Sequence, residues 1–159
     1  MNVASQLEQN HLLVLQVIDD LPELEWDIPG VCGAWSVKDV MAHLSAYEEV
    51  LVDVFATFLT DEPTPHLAKF IDKSIDFNKS EIEARQYRTA QQVMDEYEEA
   101  QLQSSDLLAQ IPQEKILQKG TLPWYGNERS LADLINNFCA HTQEHCAQIK
   151  AFRIKEPGV

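Results

Sequence analysis

Residues 36–59 read SVKDVMAHLSAYEEVLVDVFATFL, and this stretch decides the fold class. Its apolar residues recur at intervals of three, four and seven, the spacing of one face of an α-helix. Ser36 precedes the first apolar residue and Asp39 follows three positions later, a carboxylate variant of the capping box that begins helices. We therefore predict a long amphipathic helix that ends near Thr60, ahead of Pro63.

The rest of the chain repeats this helical pattern between irregular connectors. Further helices are predicted over about residues 3–18, 66–87 with a break near 78–80, 89–111 and 131–154. Residues 112–129 form a long connector, and no low-complexity segment or linker divides the chain. The expected fold is all-α, a four-helix bundle with long connectors, built as a single domain over residues 1–159.

The strong acidity of the chain restricts its partners. Twenty-six acidic residues against twelve basic ones give a formal charge of −14, which repels phosphate backbones and anionic lipid surfaces. The apolar stretch at residues 50–59 carries Asp53 and is far shorter than the ~20 residues needed to cross a bilayer. The N-terminus has no basic leader. We expect a cytoplasmic protein that binds neither nucleic acid nor membrane.

The three cysteines agree with a reducing compartment. Their number is odd and they include no CxxC spacing, so a disulfide framework is not expected. Cys139 and Cys146 are seven residues apart and share a helix face, which favours two small buried apolar side chains. A thiol nucleophile is the alternative interpretation.

The last predicted helix carries two histidines, His141 and His145, on the face that turns toward the core. His43 lies on the flank of the helix at residues 36–59. Three imidazoles plus a solvent position form a ligand set that catalytic zinc sites use, and other first-row divalent ions accept it too. Spacing alone leaves open that the histidines only pack in the core. Glu144 completes a zincin-like His-x-x-Glu-His order, but the helical wheel places it on the polar side.

Glu48 falls in the middle of an apolar stripe, where an unpaired carboxylate is costly to bury. It therefore needs a partner. One interpretation makes it an outer partner or a proton acceptor of the metal site, and the other makes it an ion pair with a basic group such as Arg85 or Lys150. His11 lies near the stripe of the first helix and is predicted to be a boundary residue.

Several segments resemble motifs of the DinB/YfiT-like superfamily of metalloenzymes: WSVKDVMAHL at residues 35–44, YE at 47–48, DFN at 76–78 and HTQEHCAQI at 141–149. The resemblance implies a four-helix bundle, frequently dimeric. It also implies that His43, His141 and His145 bind a divalent metal, often nickel or zinc. Some members are thiol-dependent transferases or isomerases that use mycothiol, bacillithiol or glutathione, and others act as hydrolases.

The residues and the resemblance together predict a metal-dependent enzyme that acts on a small molecule, as a thiol-dependent S-transferase or a hydrolase. The resemblance implies that the metal is nickel or zinc, that a transferase uses a low-molecular-weight thiol as its second cofactor, and that the chain forms a homodimer. Two alternatives remain. One is a non-catalytic bundle that binds a small ligand or a partner, in a stress-related role, and the other is a metal that only locks the helices together.

Overall fold

The computed structural model describes residues 2–155 of the chain. Its α-helices are, in chain order, α1 (Val3–Ile18), α2 (Val37–Ala56), α3 (Pro65–Ile71), α4 (Phe77–Arg85), α5 (Ala90–Ala109), α6 (Gln113–Leu117) and α7 (Leu131–Lys155). A short 3-10 helix, Glu23–Asp27, lies between α1 and α2. Residues 2–155 contain no β-strand, only two isolated backbone bridges. The predicted all-α class is confirmed.

The four long helices α1, α2, α5 and α7 build the body of the molecule. The most extensive contacts are those of α2 with α5 and of α1 with α7. Contacts of α1 with α5 and of α2 with α7 close the arrangement, while α3 and α4 pack on α2. Among the described residues, no helix combines the length and the apolar character that a membrane span requires.

Side-chain caps fix where the two histidine-bearing helices begin. At α2, the Ser36 hydroxyl accepts from the Asp39 amide and the Asp39 carboxylate accepts from the Ser36 amide. Ser130 and Asp133 repeat this reciprocal arrangement at α7. Because an N-cap of this kind is typically worth about 1 kcal/mol, the caps hold both helix starts at the predicted residues.

The helices differ from the sequence-based prediction mainly at three places. The predicted break at residues 78–80 was wrong, because the chain turns between α3 and α4 and the Asp76 side chain accepts from the Lys79 amide to begin α4. Helix α2 ends at Ala56, and turns carry the chain on to Leu59. The connector at residues 112–129 contains the short α6, which the weak periodicity there did not indicate.

A layer of polar side chains divides the apolar core into two clusters. On α1, the buried apolar residues up to Leu7 belong to the first cluster and those from Val14 onward belong to the second. On α7, those up to Cys139 belong to the first cluster and those from Cys146 onward belong to the second. Polar side chains of all four long helices lie at or near the boundary between the clusters, and we call this set the polar layer: Asn10, His11, His43, Glu48, Ser104, His141 and His145. The candidate site lies within it.

Candidate metal centre

The structure brings the three predicted histidines together. His43 projects from the second turn of α2, and His141 and His145 project from successive turns of α7. The Nε2 atom of His141 lies 3.0 Å from Nε2 of His43 and 3.0 Å from Nε2 of His145. One ligand atom from each of the three lies within 4.8 Å of the other two.

This arrangement fits a cation better than it fits hydrogen bonding alone. An imidazole nitrogen carries either one hydrogen or one lone pair, so Nε2 of His141 cannot form two good hydrogen bonds at once. Yet it has two Nε2 neighbours at hydrogen-bond distance. Three converging lone pairs are satisfied together by one divalent ion that accepts imidazole ligands.

The electrostatics keep the imidazoles of His43 and His141 neutral. Burial, followed by the neighbouring imidazoles of His141 and His145, lowers the pKa of His43 from 6.5 to about 3. Burial and His145 likewise lower the pKa of His141 to about 4. Only a neutral imidazole can bind a metal, so these two side chains need lose no proton near neutral pH when an ion binds.

Gln148 orients one of the ligands from outside the trio. Its Oε1 lies 2.8 Å from Nδ1 of His145. An amide oxygen only accepts, so Nδ1 carries the hydrogen and Nε2 of His145 presents its lone pair to the other histidines. This role was not predicted from the sequence, although Gln148 follows His145 by three residues, the spacing that places two side chains on one helix face.

Aromatic side chains pack against the histidines of the centre. The indole of Trp35 packs on His43 with ring centroids 5.1 Å apart and on His145 at 6.4 Å. The ring of Tyr47 stacks on His141 at 4.8 Å, and its hydroxyl donates to Oδ1 of Asn78. Burial raises the pKa of this phenol. These side chains limit solvent access to the nitrogens and hold the imidazole planes in place.

Glu48 lies in the polar layer but not among the ligands. The side chain is buried, and its Oε1 accepts from Nε2 of His11 at 2.7 Å and from the Ser104 hydroxyl at 2.5 Å. The prediction of His11 as a boundary residue was wrong, since it is only 1% exposed. Glu144 is exposed on α7 and does not join the histidine group.

The basic partners expected for Glu48 are placed elsewhere. Arg85 forms ion pairs with Glu49, Glu81 and Glu96, which tie α4 to α2 and α5. Lys150 is exposed on α7. The expected ion pair of Glu48 with either residue was therefore wrong, because a histidine of α1 and a serine of α5 meet this carboxylate instead.

Cys139 and Cys146 are not suited to nucleophilic chemistry. All three cysteines are free, and Cys139 and Cys146 are buried. Burial raises the pKa of both thiols to about 11, so the reactive thiolate is scarce near neutral pH. This agrees with the interpretation that they fill space in the core.

Comparison with known proteins assigns the family. No curated protein and no solved structure matches the chain. A family model, that of the DinB superfamily, matches residues 6–149, a span that includes all seven members of the polar layer. Since this match covers most of the chain, the protein belongs to the DinB superfamily.

Proposed function

We propose that this protein is an enzyme that depends on a divalent metal, nickel or zinc, and acts on a small molecule by thiol-dependent S-transfer or hydrolysis. One observation carries the proposal: His43, His141 and His145 converge, and within residues 2–155 no aspartate, glutamate or cysteine joins them. Catalytic zinc sites use three protein ligands and keep one position open, whereas structural sites are closed by four.

The residues of the chain have distinct tasks in this proposal. The three imidazoles hold the ion, Gln148 fixes the tautomer of His145, and Trp35 and Tyr47 exclude bulk water. When held by these residues, a divalent ion would lower the pKa of a water or thiol at its open position and so supply a nucleophile near neutral pH.

Glu48 is the proposed outer partner of the centre and acceptor of the proton that such a nucleophile loses. It is the carboxylate of the polar layer, and it lines the same internal cavity as His141. A buried carboxylate held by two donors keeps its orientation, as a proton acceptor requires.

An open cleft beside the centre is the proposed route for the substrate. It has a volume of about 400 Å³ and is lined by Trp35, Asp76, Asn78, Lys79, Ile82 and Glu83. Trp35 also contacts His43 and His145, so one indole forms part of both the cleft and the metal centre. The size suits a small molecule and, in a transferase, a thiol cofactor. We extend the proposal to a homodimer in the cytoplasm.

Metal analysis tests the proposal directly. Protein purified without a histidine tag should contain about one divalent ion per chain, as expected for a preformed three-ligand site. His141→Ala should lose it, whereas His66→Ala should retain it because His66 is partly exposed and pairs with Glu49. Wild-type protein that takes up no metal on reconstitution would contradict the proposal.

Probing the open position separates a catalytic centre from a structural one. In cobalt-substituted protein, azide or a small thiol should change the visible absorption spectrum by entering that position. An unchanged spectrum, together with a large loss of melting temperature on chelation, would indicate a metal that only locks the helices. A screen of thiol-dependent transfer and of hydrolysis then identifies the reaction.

A further inference from the structure

A small cavity lies inside the bundle, within the polar layer. Its walls come from α1, α2, α5 and α7, and they include Asn10, His11 and Glu48 as well as Tyr47 and His141. The space open to the centre of a water molecule is about 10 Å³, which is room for about one water. The cavity thus joins the carboxylate to the metal centre.

The polar atoms around this cavity lack protein partners. Oδ1 of Asn10 and Nδ1 of His11 are buried and make no hydrogen bond to any described residue. Both hydrogen bonds of Glu48 use Oε1, which leaves Oε2 without a protein donor within residues 2–155. A buried water typically has two to four polar partners, and these three atoms provide them.

The tautomer of His11 determines which of its ring nitrogens can accept a hydrogen. A carboxylate only accepts, so Nε2 of His11 carries the hydrogen that it shares with Glu48, and Nδ1 of the neutral ring has a free lone pair. The Ser104 hydroxyl donates to the carboxylate and not to the imidazole. The three residues therefore form a paired proton acceptor and not a serine nucleophile with its base.

The other titratable groups near the pair hold their protons. Burial raises the pKa of Tyr97, with Glu48 adding to the effect, and burial raises the pKa of the Cys139 thiol to about 11. Burial also raises the pKa of Tyr47. His11 makes neither a hydrogen bond nor a ring contact with the three metal-centre histidines, so its Nδ1 does not take part in that centre.

We propose that Asn10, His11 and Glu48 hold one water in this cavity, and that the His11–Glu48 pair takes up the proton released at the metal centre. The second half rests on the proposed function. If the three histidines held an ion, a proton released there would pass through the cavity water to the pair and would enter at the Nδ1 lone pair of His11. The hydrogen bond from Nε2 of His11 to Glu48 would stay in place, and the same path in reverse would return the proton.

A crystal structure of the metal-free protein tests the water site without reference to any metal. We expect one ordered water within hydrogen-bond distance of Oδ1 of Asn10 and Nδ1 of His11. In Asn10→Leu this water should be lost. A dry cavity in the wild-type protein overturns the first half of the proposal.

The number of protons released on metal binding tests the second half of the proposal, the proton uptake by the His11–Glu48 pair. Zn²⁺ is titrated into the metal-free protein by calorimetry in two buffers of different ionisation enthalpy, which gives the protons released per ion bound. Wild-type protein should release fewer protons than Glu48→Gln or His11→Phe, by about one at most, because the pair retains the proton. Glu48→Gln preserves the shape of the site, so it serves even if His11→Phe does not fold.

His66→Ala is the matched control, since it removes a histidine that lies outside the cavity, and it should release as many protons as the wild type. Equal release by the wild type and Glu48→Gln overturns the proton role. If Zn²⁺ does not bind at all, the proposed function and the proton role both fail, while the crystal structure still decides the water site.

Discussion

Acidification should destabilise the metal-free protein, because two histidines of the centre resist protonation while the chain is folded. The pKa of His43 is lowered from 6.5 to about 3 and that of His141 to about 4, chiefly by burial. Below pH 6.5 the unfolded chain therefore binds more protons than the folded one. Above that pH these groups do not change the free energy of unfolding. Below it the free energy of unfolding falls, until the pH reaches about 4 for the contribution of His141 and about 3 for that of His43.

The structure gives the size of this effect at pH 5. A folded-state pKa of about 3 against 6.5 in the unfolded chain makes His43 responsible for a loss of about 2 kcal/mol. His141 contributes less than its pKa suggests, because it is partly exposed and solvent screens the charge. A combined loss of about 3 kcal/mol is a large part of the 5–15 kcal/mol that typically stabilises a domain.

Urea unfolding followed by tryptophan fluorescence, in the presence of a chelator, measures this loss between about pH 7.5 and pH 5. His43→Gln cannot titrate, so its stability should fall by about 2 kcal/mol less than that of the wild type over this interval. His66→Ala, which removes a partly exposed histidine, should follow the wild type. Equal losses in His43→Gln and the wild type would refute the reasoning.

Three further substitutions or treatments have defined outcomes. Glu48→Ala leaves its buried partner His11 without an acceptor and should cost about 2–3 kcal/mol in urea unfolding; a cost below about 1 kcal/mol would contradict a buried pair. Gln148→Ala should weaken zinc binding about tenfold in chelator competition, with recovery in Gln148→Glu. At about pH 8 a thiol reagent should modify the half-buried Cys32 readily and Cys139 only after unfolding, because burial raises the pKa of the Cys139 thiol to about 11; rapid modification of Cys139 in the folded protein would contradict this.

The sequence predicted those features that depend on neighbours in the chain. Ser36 and Asp39 lie three residues apart, so the cap of α2 is local chemistry and was predicted correctly. Helix geometry likewise predicts that His141 and His145, four residues apart, lie on the same face of α7. The meeting with His43 required the resemblance as well as the pattern, because helix periodicity does not state which helices are adjacent.

The partners of Glu48 show where sequence-based prediction ends. The cost of burying a carboxylate predicted that a partner exists, but not which one. His11 precedes Glu48 by 37 residues, and Ser104 follows it by 56. Both contacts exist only because α5 packs against α2 and α1 packs against α5, so that His11 meets Glu48 in the interior of the bundle. The start of α4 differs from this case, because Asp76 precedes Lys79 by three residues and its cap is local chemistry that the sequence contains.

The polar layer also determines how the long helices align along the bundle axis. Sliding α1 by one turn, about 5.4 Å, would move His11 into an apolar cluster and leave Glu48 buried without its imidazole. The apolar clusters alone would oppose such a slip only weakly, because leucines and valines can substitute for one another in packing. Replacing His11, Glu48 and Ser104 together by apolar residues should therefore give a bundle that is at least as stable but has several helix registers. On this expectation, the polar groups around the proposed metal centre would also select one alignment of the helices.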